Sequence, residues 1–284
     1  MIKTGLESTA YFGFEDYAEG LKKLKSHGYD CVDYRGLMSP DSPLYALDDE
    51  GFRAYLTKVA DAADAAGVEI RQLHGLWPTD DTTAESRAKN FRLYVKEIEG
   101  AYYLRCKHVV IHPLLPYGWT AEGDEDEIRR LNVELFTALM PYAQHYGVIV
   151  CVENLPFKNT EASSRIAEIK RLIRTVNSPY LKVCLDTGHA NVYPEDIGDD
   201  VRLLAEDLAV LHVHDNFGRR DEHHMPYRGT ICWEKFLTAL KEIGYKGCFT
   251  LETGISVAVP EPIREEMRLS LSKLVRMMAD KIVE

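Results

Sequence analysis

The segment His212-Val-His-Asp-Asn216 and the residues after it, HVHDNFGRRDEHHMPYRGTICW, put four histidines and three carboxylates into a short piece of a chain that has 10 histidines in all. Burying such groups is costly unless each finds a partner, and a solvated surface gives no reason to collect them. Five further positions have the same chemical character, each closing a short apolar run: His74 in RQLH, His112 in VVIH, Glu153 in VCVE, Asp186 in VCLD and Glu252 in TLE. Mixed imidazole and carboxylate donors suit zinc, manganese, cobalt or iron, and two glutamates with an aspartate supply negative charge to hold a divalent ion against water. Thiolate zinc is excluded, since no cysteine ends a strand beside this set. His212 and His214 lie two apart on a strand and point to one face, so one can bind metal while the other touches substrate or a supporting carboxylate.

Those positions require elements to hold them. Short runs rich in β-branched residues alternate with longer amphipathic ones. Strands are expected near Ile2–Leu6, Cys31–Tyr34, Glu69–His74, His108–His112, Val148–Glu153, Leu181–Asp186, Leu208–His214 and Cys248–Glu252. Helices are expected at Phe14–His27, Asp48–Ala66, Thr83–Tyr103, Glu125–Tyr146, Ser163–Thr175, Val201–Glu206, Trp233–Ile243 and Ile263–Lys281. Gly28, Gly67, Gly147 and Gly244 fall where left-handed caps end helices. The length alone would allow two domains, but one (β/α)8 TIM barrel over residues 1–284 accounts for the whole α/β pattern. Chemistry in such barrels sits at the carboxyl ends of the strands, and strands three to eight all end in a metal-ligand residue type.

The balance of 34 basic and 45 acidic residues, −11 net, argues against nonspecific attraction to nucleic acid or anionic membrane. Cys31, Cys106, Cys151, Cys184, Cys232 and Cys248 fall singly and read as buried thiols in a reducing compartment. MIKTGLES lacks a charged leader followed by an apolar core, and no run approaches a membrane span, so a cytoplasmic protein is expected.

The strings VENLP, CLDTGHAN, LHVHDN and LETG, in this order at the ends of strands five to eight, resemble the xylose isomerase-like TIM barrel superfamily, over about Gly67 to Thr253. The ketohexose epimerases of that superfamily imply one divalent metal on Glu153, Asp186, His212 and Glu252, with the two glutamates as acid and base on opposite faces of a sugar. Endonuclease IV implies additional metal ligands at His74, His112, His189, Asp221 and His223, around a trinuclear zinc centre, with Gly229 matching the glycine that follows. The cofactor implied is therefore zinc or manganese, one to three ions. Loops on the same face read GWTAEGDEDE and NVYPEDIGDD, which would repel a phosphodiester backbone, and YRGLMSPDSPLY does not match the nuclease's intercalating loop. Many sugar isomerase-like members share HDN followed by DEH.

Other residues have two readings each. His189 caps the strand end or contacts substrate or metal. His214 and His224 stand beside the ligands. Asp215 and Asn216 fix the loop or act directly. Trp77 and Trp119 are the apolar wall of a sugar pocket, whose C–H faces suit aromatic rings, or anchor loops. Arg219, with Arg220, Arg228, Arg35 and Lys158, is a candidate phosphate grip. His27, His108 and His145 are structural. The expected function is a metal-dependent isomerase or epimerase of a small-molecule sugar or sugar phosphate. The alternatives are an endonuclease IV-like multizinc hydrolase and a sugar-binding barrel or subunit of a larger enzyme, with a homo-oligomer left open.

Overall fold

Eight short apolar runs, too short to be stable alone, become a single sheet because each pairs in parallel with its neighbour. The computed structural model describes residues 1–283, and among them β1 (Thr4–Glu7), β2 (Cys31–Tyr34), β3 (Glu69–His74), β4 (His108–Ile111), β5 (Ile149–Glu153), β6 (Leu181–Asp186), β7 (Leu208–His212) and β8 (Phe249–Leu251) run in the order β7-β6-β5-β4-β3-β2-β1-β8. The seam between β7 and β8 is closed by one parallel bridge, Val213 to Leu251. There Val213 N–H donates to the Thr250 carbonyl at 2.9 Å and Glu252 N–H to the Val213 carbonyl at 3.0 Å. The seam thereby sets His212 and His214 beside Glu252.

Helices cover the outside: α1 (Tyr17–Ser26), α2 (Asp49–Ala66), α3 (Ala84–Tyr103), α4 (Glu125–Tyr146), α5 (Ile166–Val176), α6 (Thr187–Asn191), α7 (Ile197–Leu204), α8 (Trp233–Glu242) and α9 (Glu261–Val283). Leu21, Phe52, Leu56, Phe136 and Phe236 are buried from these helices against the sheet. Shortening Leu56 to Ala there would cost about 2–5 kcal/mol. Inside the barrel, Val110, Cys151, Cys184 and Val210 form a separate small apolar layer beneath the ends of β4 to β7. No helix among the described residues is long and apolar enough to cross a membrane.

The expected elements are present with shifted ends. Strand seven stops at His212 rather than His214, since Val213 leaves the ladder with β6 to make the seam. The helix expected at Val201–Glu206 begins at Ile197, where Asp196 caps the Gly198 N–H at 2.9 Å. The one-turn α6 is unexpected, and its cap is the strand-end carboxylate itself: Asp186 Oδ1 accepts the His189 N–H at 2.7 Å. Gly67 and Gly147 end α2 and α4 with φ of 68° and 65°, as left-handed caps require.

Six separate buried thiols are the sequence expectation, and the structure corrects it. Cys31 and Cys248 are joined as a disulfide over Gly5 of the intervening β1, where a Cβ would stand 2.9 Å from Cys31 Sγ. Cys232 is exposed, while Cys106, Cys151 and Cys184 are buried and free.

Glu97 on α3 is wholly buried behind the loop that follows His74. It accepts the Tyr45 hydroxyl at 2.6 Å and the Leu76 N–H at 2.8 Å, yet burial pushes its carboxyl up from 4.5 to about 8. Between those values the unfolded chain releases a proton that the folded chain keeps, so stability falls as pH rises through this window and levels off above it. Glu97→Gln should remove that fall, raising Tm relative to the parent by several degrees at pH 8 and little at pH 5. Melting curves across the window check this, and a pH-independent difference would refute it.

Candidate metal centre and active site

Each strand end delivers one side chain to the barrel mouth, because alternate residues face inward. Glu153 ends β5 and Asp186 ends β6, His212 ends β7, and Glu252 follows β8. All four are buried, and each offers a donor atom within 4.8 Å of the other three. His212 Nδ1 lies 3.0 Å from Glu153 Oε1 and 2.9 Å from Glu252 Oε2. The two glutamates thus approach a single imidazole nitrogen from separate strands.

The remaining ligand candidates form two adjoining groups. His74 and His112 join Glu153 in one, with His112 Nε2 at 3.2 Å from Glu153 Oε2. His189, His214, Asp221 and His223 make the other: Asp221 Oδ2 is 3.3 Å from His189 Nε2 and 2.9 Å from His223 Nε2. His214, expected beside the ligands, stacks on His223 with centroids 4.1 Å apart and brings Nε2 to 2.9 Å from Asp186 Oδ1. Gly188 makes this approach feasible, since a Cβ there would fall 1.9 Å from His214 Cε1.

The segment between β7 and α8 is folded by its own polar groups. Asp215 accepts the Trp233 indole N–H at 3.0 Å and the Ile231 N–H at 3.3 Å, and its backbone pairs with that of His224. Asn216 donates to the Gly188 carbonyl at 2.7 Å. Both residues therefore fix the loop.

Trp77 and Trp119 stack at 5.1 Å between ring centroids, Trp77 also meets His112 at 4.5 Å, and Phe157 completes the aromatic cluster at 6.4 Å and 5.9 Å from the two indoles. An apolar wall thus stands beside the polar cluster. Arg219, Arg220, Arg228 and Lys158 are exposed, and Arg219 takes part in none of the contacts above.

Sequence reasoning missed the contribution of the first two strands. Arg35, considered there as a phosphate grip, is mostly shielded, its side chain 11% exposed, and is ion-paired with Glu7, Glu252 and, through Nε at 3.4 Å, Asp33. Asp33 is 1% exposed and reaches His74 Nδ1 at 3.3 Å. The available signal was Asp33 in CVDY, one residue before the end of β2 and facing inward; reading only terminal residues passes over it.

Burial alone would raise the carboxyls of Glu153 and Glu252, but His212 and His112 around the first, and Arg35 and His212 beside the second, hold both well below the usual carboxylate range. Burial would lower His189, yet Asp186 and Asp221 carry it up to about 10. His223 likewise rises to about 9 against the effect of burial, through Asp221 and Glu252. The carboxylates thus draw positive charge onto the imidazoles, and the same field favours a divalent cation. Glu153 Oε2 and Glu252 Oε2, within the cluster of Glu153, Asp186, His212 and Glu252, are buried without a hydrogen-bond partner. Buried polar atoms are rarely left so, and this donor set fits zinc or manganese.

A family model described as xylose isomerase-like TIM barrel matches residues 21–273. The uncharacterized protein MJ1311 of Methanocaldococcus jannaschii is 30% identical over 263 residues, 88% of this chain and 83% of that protein. A D-psicose 3-epimerase of Ruminiclostridium cellulolyticum is 23% identical over 84% of this chain and 78% of its own length. Among solved structures, a D-psicose 3-epimerase crystallised in the presence of D-fructose superposes with a TM-score of 0.79 at 16% identity, covering 98% of this chain and 99% of that one. With its eight parallel strands and the match over residues 21–273, this chain belongs to the xylose isomerase-like TIM barrel family.

Proposed function

We propose that the protein is a metal-dependent epimerase or isomerase of a sugar or sugar phosphate, working in the cytoplasm. The observation that carries this reading is the convergence of Glu153 and Glu252 on His212 Nδ1 at 3.0 and 2.9 Å, which provides two carboxylates for one reacting centre. Both are held in the ionised form that a proton acceptor needs. One ionised glutamate takes the proton from the carbon next to a carbonyl, leaving an enediolate; the other, having taken a proton from solvent, delivers it to the opposite face, and the first releases its proton to solvent. A divalent cation on Glu153, Asp186, His212 and Glu252 would supply Lewis acidity toward neighbouring sugar oxygens. Trp77, Trp119 and Phe157 offer flat apolar surface to the C–H face of the ring. The D-psicose 3-epimerase likeness supports the same substrate class.

A second reading rests on the two adjoining ligand groups, His74–His112–Glu153 and His189–His214–Asp221–His223, which offer donors for two further ions, as an endonuclease IV-like phosphodiester hydrolase would use. Acidic residues in the flanking loops, among them Glu122, Glu195 and Asp196, oppose a nucleic-acid backbone.

Elemental analysis of Glu153→Gln and Asp186→Asn should find bound metal lost, whereas Asp64→Asn, on the exposed face of α2 beside Arg105, keeps it; equal retention in all three would remove the site. Metal-loaded protein should leave a labelled abasic duplex intact beside an endonuclease control, and robust incision would replace the first reading with the second. In D2O, with a panel of free ketoses and ketose phosphates, deuterium should enter the carbon beside the carbonyl even when net turnover is slow. Glu252→Gln should abolish that exchange more completely than Arg219→Ala or Arg220→Ala, which would chiefly raise KM if those arginines grip a phosphate. No exchange with any sugar, together with metal-dependent phosphodiester cleavage, would overturn the epimerase reading.

A further inference from the structure

We propose that Asp33 is a positioning residue that serves two metal-ligating histidines at once, His74 and His212, by fixing which ring nitrogen of each faces the metal centre. The proposal rests on the reading of His212 as a ligand in the four-residue set and of His74 as a ligand in the adjoining group with His112 and Glu153.

The geometry is specific. Asp33 lies on β2, buried to 1% exposure, below the parallel-stacked rings of His74 and His212, whose centroids are 4.8 Å apart with planes 6° from parallel. Its Oδ2 accepts from His74 Nδ1 at 3.3 Å, which leaves Nε2 as the atom His74 has to offer His112 and Glu153. On the other ring, His212 turns Nδ1 to Glu153 and Glu252, while Nε2, without a hydrogen-bond partner, stands 3.9 Å from the same Asp33 Oδ2. That distance exceeds a hydrogen bond, but the carboxylate's charge still favours the proton on Nε2. A lone pair on Nδ1 is what coordination there requires. Arg35 Nε, 3.4 Å from Asp33 Oδ2, keeps the buried aspartate charge-balanced; Arg35 Nη2 also stands 3.5 Å from His74 Nδ1, a longer contact than the 3.3 Å to Asp33. Asp33 Oδ1 has no partner in the fold, so the side chain is not retained for a hydrogen bond of its own with the scaffold beyond Arg35.

The test uses the full chain carrying nitrogen-15 histidine, with metal removed and then restored as zinc. In the metal-free parent, imidazole spectra assigned with His74→Gln and His212→Gln should place the His74 proton on Nδ1. In Asp33→Asn, which keeps size and removes charge, the His74 ring should move to a mixture of tautomers. Zinc affinity should fall about 10- to 100-fold, with the metal-free melting temperature little changed. Asp33→Ala, which adds no bulk, should behave alike and guards against an Asn that forms new hydrogen bonds. An unchanged His74 tautomer with unchanged zinc affinity in both variants would overturn the proposal. Should the parent itself bind no zinc, the ligand reading fails separately, and the tautomer comparison alone then decides the role of Asp33.

Discussion

Five carboxylates, Glu7, Asp33, Glu153, Asp186 and Glu252, are buried at one end of one barrel, and balancing their mutual repulsion is the constraint on which the site depends. Each would lose hydration on burial, and like charges at such range repel strongly in a medium less polar than water. Arg35 answers the constraint from the side of β1, β2 and β8 by pairing with Glu7, Asp33 and Glu252. Histidines answer it on the side of β4 to β7, where Glu153 and Asp186 have imidazole neighbours. The two halves differ in kind. A guanidinium is a fixed charge that does not leave, whereas an imidazole can give up its proton when a metal arrives. The site is thus rigidly neutralised on one side and exchangeable on the other, and the exchangeable side is where the candidate metal ligands are concentrated.

The backbone makes room for this density by omitting side chains at particular points. A Cβ at Gly188 would overlap the His214 ring, one at Gly75 would stand 2.3 Å from the Val110 carbonyl, and one at Gly229 2.1 Å from that of Asn216. Gly75 and Gly188 let the loops after β3 and β6 lie against neighbouring strands, and Gly229 lets the loop after β7 fold back on its own Asn216. Asp186 has two structural duties besides its place among the ligands, capping α6 and receiving His214, so the local fold after β6 and the charge pattern of the site are one arrangement.

Barrel closure links these features. β7 leaves its ladder with β6 after His212 pairs with Asp186, crosses to β8 through the bridge of Val213 and Leu251, and is held again where Asp215 pairs with His224. Asp215 then ties the outgoing chain to Trp233 at the start of α8. The loop bearing Asp221 and His223 returns over the mouth as a consequence, with His223 Nδ1 at 2.9 Å from the Glu252 carbonyl.

The alternation of strand and helix, the cluster Glu153, Asp186, His212 and Glu252, and the outer histidines were legible in the amino-acid sequence. Periodicity reports which face of an element is buried, and barrel topology dictates that strand ends converge. Strand limits at Glu69–His74 and Leu181–Asp186 were readable for the same reason, since apolar runs end abruptly at a polar residue. Long-range partnership was not. Arg35 is 217 residues from Glu252 along the chain, Asp33 is 41 from His74, and Cys31 is 217 from Cys248; no local pattern distinguishes such a buried pair from two unrelated surface or core residues. Element order and the residue types delivered to one end of the barrel are thus written in local patterns of the chain. Which charges pair, which ring nitrogens face one another and which cysteines meet follow from the folded barrel, because those depend on distances across it that closure of the sheet establishes.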